Sequence, residues 1–245
     1  MEQPANEAVP HRLGNVDAMD LLHALRTNGS VRSFEPDPVD DATLHRILDT
    51  ARFAPSGGNK QGWHVIVVKD PAIRVRIQEL AQSGWNEYAA QAQAGRRPFA
   101  ADESGRWPGP GPVDLESARA GHYPMPLIDD IPNVPVLLII AADLRQLAAV
   151  DTDLDRVGLA AGASIYPFTN NILLAARAEG LGGVLTTFVV RQEPIAQELL
   201  GLPPYFAIAA LVTLGTPVHQ NTKLTRKPVE GFATIDRFNG APLMP

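Results

Sequence analysis

Between Ala51 and Trp63 the chain reads Ala-Arg-Phe-Ala-Pro-Ser-Gly-Gly-Asn-Lys-Gln-Gly-Trp, a short stretch dense in groups that hold ligands. Ser56 brings a hydroxyl and Asn59 and Gln61 bring amides, while Gly57 and Gly58 leave backbone N–H groups open to close approach by a flat ligand. Pro55 also ends the helical pattern before it, because its ring clashes with the preceding turn. On residue types alone, the same stretch therefore equally makes an ordinary helix-terminating loop.

Other chemistries are excluded more firmly. The sequence has no cysteine, which removes disulfides, thiolate metal sites and cysteine nucleophiles. No His-Glu-x-x-His or similar spacing occurs, so no metal ligand is assigned, and Gly57 to Gly62 lacks the Gly-x-x-x-x-Gly-Lys-Ser/Thr order of a phosphate loop. The glycines of Glu179 to Thr187 superficially suggest a dinucleotide fingerprint, but they follow a helical pattern and enter a strand, the reverse of the Rossmann order. A net charge of -6 without a dense basic run speaks against nucleic acid or an anionic membrane as partner. Residues 1–15 are expected to form a flexible terminus. Met1 to Pro10 have no hydrophobic core region, so neither a secretory signal nor an anchor is expected, and a cytoplasmic location follows.

The elements that position these groups follow from periodicity. With 45% hydrophobic residues in 245, a substantial core is expected. Ala18, Leu21, Leu22 and Leu25 predict a helix over about Asp17 to Arg26, stopped by Asn28-Gly29. Leu44, Ile47, Leu48 and Ala51 predict a second helix, capped by Asp40 or Asp41. Trp63 to Lys69 reads as a strand buried on both faces. Asp70-Pro71 opens a helix that fades near Gln82. The stretch from there to Asp130 is irregular, rich in Pro-Gly units, and holds Trp85, Tyr88, Phe99, Trp107, His122 and Tyr123. It is expected to be a substrate lid or a dimer arm. Val134 to Ala141 and Phe206 to Leu214 predict buried strands, Ile165 to Ala178 a buried helix, Val184 to Val190 a further strand, and Pro194 to Leu200 a short helix closed by Gly201.

The segment Ala54-Pro55-Ser56-x-x-Asn59-x-Gln61-x-Trp63 resembles the signature loop of the nitroreductase family, in which this loop touches FMN. Three further stretches resemble that family in its own order. Ser30-x-Arg32-x-Phe34 after the first helix is similar to the segment that binds the FMN phosphate and ribityl chain or the pyrimidine edge. The family's usual basic residue before that serine is here Gly29, and Arg26 is the candidate replacement. Gly180-Leu181-Gly182-Gly183 resembles the stretch passing beneath the flavin, with Gly182 and Gly183 as candidate positions. The basic tail Lys223 to Pro228 resembles the one that completes the phosphate site, with Arg226 matching best and Lys223 or Lys227 helping.

The resemblance, spanning about Asp20 to Phe238, implies an α+β sandwich with a mixed central sheet flanked by helices, over 16–245 as a single domain with 82–130 as lid or insert. It implies an obligate homodimer with composite sites, in which Ser30, Arg32 and Arg226 serve one FMN from one subunit and Pro55 to Gln61 reach it from the other. The implied activity is ping-pong hydride transfer from NAD(P)H through flavin N5 to a small organic acceptor such as a nitroaromatic or quinone. Arg32 would stabilise the anionic reduced ring, and no catalytic side chain is needed. A same-fold flavin enzyme of different chemistry, dehalogenating or flavin-destroying, and a non-catalytic flavin-storage protein are the alternatives.

Overall fold

The computed structural model describes residues 19–245. The terminus expected over 1–15, and the start of the first helix at Asp17 and Ala18, lie outside the described residues. Helix α1 runs Leu21–Thr27, capped by Asp20, and α2 runs Asp41–Ala51, with the Asp40 carboxylate accepting from Thr43 N at 2.6 Å. Such a cap contributes about 1 kcal/mol. Strand β1 (Trp63–Val67) leads to α3 (Pro71–Gln93), followed by short helices α4 (Leu115–Arg119) and α5 (Pro126–Asp129), then β2 (Val136–Asp143). Helix α6 (Tyr166–Ala178), β3 (Gly182–Thr186), α7 (Glu193–Leu200) and β4 (Phe206–Gly215) complete the α-helices and strands of the described residues. Gly201 closes α7 with a left-handed φ of 65°, a conformation that suits glycine.

The strands lie in the order β1-β2-β4-β3. The α+β class holds, but all three pairings are antiparallel, where a mixed sheet was expected. Period-two alternation divides the core. Leu138, Ile140 and Ala142 of β2 face α2 and α6 with Leu44, Ile47, Phe168 and Ile172, whereas Leu137 and Ile139 face α3 and α7 with Ile77, Leu80 and Ala196. A bulge between Ile140 and Ala141 leaves Ala209 as the extra residue of β4, and its carbonyl accepts from the Tyr166 hydroxyl at 3.3 Å.

Several expectations are corrected. β1 is an edge strand and only partly buried, with His64 exposed, so it is not covered on both faces. Leu21, Leu22 and Leu25 point to solvent, while Ala24 and Thr27 make the buried side of α1. The strand expected to run to Val190 stops at Thr186 and becomes a 3-10 turn over Phe188–Gln192. Helix α3 does not fade at Gln82 but continues to Gln93. Its second half carries buried polar residues, which obscured the helical pattern. Asn86 donates to the Gly121 carbonyl at 2.6 Å and accepts from Tyr123 N at 3.1 Å, while Trp85 Nε1 donates to the Tyr123 carbonyl at 2.9 Å. These bonds strap residues 119–123 onto α3. Among the described residues no helix is long and apolar enough to cross a membrane.

Candidate active site

The segment after α1 lies along the β3 edge. Val31 N donates to the Gly183 carbonyl at 3.0 Å, Glu35 N to Thr216 O at 2.8 Å, and Val218 N to Ser33 O at 3.2 Å. Gly182 and Gly183 are buried within β3, and their lack of side chains has a packing reason. A Cβ on Gly182 would stand 2.5 Å from Val31 Cγ2, and one on Gly183 would stand 2.5 Å from Leu214 Cδ2. Neither glycine lines the adjoining cavity.

That cavity, of about 830 Å³, takes Val184, Leu185, Thr186 and Thr187 from the same strand and its end, together with Arg32. Its remaining walls are Trp85 and Tyr88 of α3, Phe99, Met125, and Phe188, Val190 and Arg191. Trp85, Tyr88 and Phe188 meet as one aromatic cluster, with ring centroids 5.3 to 5.6 Å apart, and Trp107 backs Phe99 at 5.5 Å. The 82–130 segment thus walls the cavity of its own chain. A volume of this size suits a small ligand or cofactor ring.

The C-terminal tail reaches the same corner. Gln220 Nε2 donates to the Thr27 carbonyl at 3.1 Å, and a Cβ on Gly29 would stand 2.6 Å from Asn221 O and 3.0 Å from Leu224 Cδ2. Packing against the tail therefore accounts for glycine at 29, where the resemblance leads one to expect a basic residue. Ser30 and Arg26 are exposed nearby, the latter in the last turn of α1. Among the described residues, none of Arg26, Arg32, Lys223, Arg226 and Lys227 forms an ion pair, whereas nine other cations do. Arg226 donates only to the neighbouring Thr225 carbonyl at 2.8 Å. A cation left without a carboxylate partner on a cavity wall, as Arg32 is among the described residues, suits an anionic ligand.

The loop of Pro55, Ser56, Gly57, Asn59 and Gln61 lies elsewhere. Gly57–Asn59 form a 3-10 turn in which Gly58 has φ 58°, and Asn59 and Gln61 have φ 53° and 50°. Asparagine tolerates this left-handed conformation, whereas glutamine adopts it less readily and at a cost of order 1 kcal/mol or more. The loop is held by its own polar groups: Ser56 Oγ accepts from Gln61 N at 3.0 Å, Gln61 Nε2 donates to Asn59 Oδ1 at 3.2 Å, and Gly57 N donates to Ser164 Oγ at 3.0 Å. Pro55, Gly57, Asn59 and Gln61 remain exposed. The loop enters β1 at Trp63, which pairs with Ala142 and, through it, aligns with Ala207; Gly182 pairs with Gly215 at the far end of β4. Eight residues along β4 and three strand spacings across the sheet put these corners on the order of 30 Å apart.

One chain therefore brings the segment of Arg26, Ser30 and Arg32 together with Gly182, Gly183 and the tail at Gln220, Asn221 and Leu224, and keeps Pro55 to Gln61 away from them. The sequence reading missed Leu185, Thr186 and Thr187 as cavity residues. Two hydroxyls directly after an apolar strand were the available signal. Arg191 carried no local signal, since its place depends on Glu87 and Phe99.

The model of the Nitroreductase family matches residues 25–216, a span that stops short of Lys223 and Arg226. An NADH dehydrogenase of Thermus thermophilus is 30% identical over 212 residues, covering 86% of this chain and 94% of that protein. A 5,6-dimethylbenzimidazole synthase of Rhodobacter capsulatus is 29% identical over 201 residues, 80% of this chain and 83% of its own. The solved NADPH:FMN oxidoreductase of Vibrio harveyi, complexed with NAD+, superposes with a TM-score of 0.61 at 20% identity, covering 89% of this chain and 77% of that one. With a family match over residues 25–216 and a relative 30% identical over 86% of its length, the chain belongs to the nitroreductase family.

Proposed function

We propose that the protein is an FMN-dependent oxidoreductase that takes hydride from NAD(P)H and passes it to a small organic acceptor. The observation that carries this reading is Arg32, without an ion-pair partner among the described residues, on the wall of an aromatic-walled cavity. The residues fit the cofactor. Arg226, with Lys223 and Arg26, would hold its phosphate, Ser30 and Arg32 would meet the ribityl chain and pyrimidine edge, and Thr186 and Thr187 would border the ring. FMN supplies hydride acceptance and donation, so the protein needs no acid or nucleophile of its own.

The remaining work falls to this chain's side chains. Arg32, on the cavity wall, would place a fixed positive charge near the ring to which reduction adds negative charge. Trp85, Tyr88, Phe99 and Phe188 give the cavity an apolar wall and offer flat faces to a second ring. Because Pro55 to Gln61 lie at the opposite corner of the sheet, we assign them to the site of a second copy, giving a homodimer with two composite sites. The 82–130 segment acts as the lid of its own subunit's site.

The relatives named above carry names of different reactions. The decisive test is the absorbance spectrum of the purified protein, followed by anaerobic titration with NADH and NADPH. A non-covalent FMN spectrum that bleaches with either donor is expected. FAD, or no flavin after FMN is added, would overturn the cofactor, and a bound flavin that neither donor reduces would leave a storage role instead.

A further inference from the structure

We propose that the acceptor taken by this cavity is a planar aromatic carboxylate, with its acid group held by Arg191. The inference rests on the flavin-oxidoreductase reading above and names the substrate class for that site.

Arg191 is held from three sides. Its Nε donates to Glu87 Oε2 at 2.5 Å, and its guanidinium carbon lies 4.7 Å from the centre of the Phe99 ring. Its turn is pressed against α3 at Gly84, where a Cβ would overlap the Phe188 carbonyl. Among the described residues the guanidinium makes no other hydrogen bond, so its two terminal nitrogens stay free on a side chain that lines the cavity. Glu87 is fully buried and also pairs with Arg119. Two guanidiniums share one carboxylate, which leaves one net positive charge, and Arg32 adds a second on the cavity wall.

The surroundings define the partner of that charge. Trp85, Tyr88, Phe99, Phe188 and Met125 make most of the remaining wall apolar. A cation on a largely apolar cavity wall favours an anionic partner, and a guanidinium with two free terminal nitrogens matches a carboxylate in a two-point hydrogen bond. Aromatic walls take a flat ring by stacking or edge contact. In the proposed site Arg32 faces the cofactor, so Arg191, on the lid side, is the cation left for the acceptor.

The test compares 4-nitrobenzoate with its neutral isostere 4-nitrobenzamide, using the FMN-loaded protein. In the reaction with either, the nitro group is reduced by two electrons to nitroso; one NAD(P)H is oxidised, one proton is taken up and one water leaves. Affinity is read by calorimetry and turnover as kcat/KM. The wild type should prefer the acid by roughly tenfold or more, the range of a charge-assisted hydrogen bond. Arg191→Gln should bring the acid-to-amide ratio to within about twofold, and Arg191→Lys should keep part of it, because charge remains but the fork is lost. Should Arg191→Gln unfold the protein by orphaning Glu87, the double variant Glu87→Gln/Arg191→Gln removes both charges and is read in the same way. A wild type without preference for the acid overturns the proposal. So does a ratio unchanged in the variants, whether accompanied by a lower melting temperature alone or by a raised KM for NAD(P)H, which would assign Arg191 to structure or to the donor's phosphates. Failure of NAD(P)H to bleach the wild-type flavin would instead sink the oxidoreductase reading, while calorimetry still reads the ratio.

Discussion

Val31 donates its backbone N–H to the carbonyl of Gly183 at 3.0 Å, and its side chain fills the space that a Cβ on Gly182 would need. This contact ties the segment bearing Ser30 and Arg32 to the strand whose continuation, Val184 to Thr187, lines the cavity. The Arg32 segment and the cavity wall are thereby positioned by one edge of the sheet.

Gly182→Ala should therefore disturb stability and binding together. The added methyl would meet Val31 Cγ2 at 2.5 Å and Gln220 Oε1 at 3.1 Å. Overpacking of this kind costs about 1 to 3 kcal/mol. Thermal melting should show the loss, and fluorescence titration should show weaker FMN binding as the Arg32 segment shifts. Wild-type affinity with wild-type melting would mean that the Val31 contact yields freely.

Arg226→Ala should weaken FMN binding with little change in folding. The side chain is exposed and its one hydrogen bond goes to an adjacent carbonyl, so the fold loses almost nothing. A charge-assisted bond to phosphate is worth roughly ten- to a hundredfold in affinity. A dissociation constant within about twofold of wild type would remove Arg226 from the phosphate site.

Asp151 gives a pH dependence separable from flavin chemistry. Its carboxylate accepts from Leu159 N at 2.7 Å, from Arg156 at 2.8 Å and from Ala160 N at 3.2 Å, which hold its pKa down at about 2, against an ordinary 3.8. A folded-state pKa below the unfolded one stabilises the fold above the unfolded value, and that contribution fades as pH falls through the folded one. Wild type should exceed Asp151→Asn in stability near neutrality, with the gap closing between about pH 4 and pH 2. Denaturant unfolding across that range checks it. A constant gap would mean that the carboxylate's charge contributes nothing.

The separation of the two corners predicts complementation between subunits. Arg32→Ala and Asn59→Ala should each impair activity as homodimers, since each would damage both of the proposed composite sites. Random exchange makes about half the dimers mixed, and each mixed dimer has one doubly damaged and one intact site, so about a quarter of all sites recover. Native mass spectrometry confirms exchange. Activity that stays at the average of the two variants would place both residues in the same subunit's site, or outside it.

Local chemistry was legible in the sequence. The cap at Asp40, the period of Leu44, Ile47 and Ala51, the apolar run of β2, and the end of α7 at Gly201 were all readable, because each depends on neighbours a few residues away. The amides and glycines of Pro55 to Gln61 were readable as residue types, and so were the basic residues of the tail. Only the tertiary structure decided how they are distributed. Antiparallel pairing places the loop and the Arg32 segment at opposite corners, a consequence of which strand sits at which edge. The path of α3 beyond Gln82 was hidden because Asn86, Glu87 and Gln91 read as a solvated face, until partners from 119–123, 191 and Phe99 N satisfied them in the interior. Gly29 and Gly182 read as a missing charge and a flavin contact, yet each is required where another segment passes too close for a Cβ. Such reasons reside in contacts between residues far apart in the chain, and no local pattern of residue types encodes them.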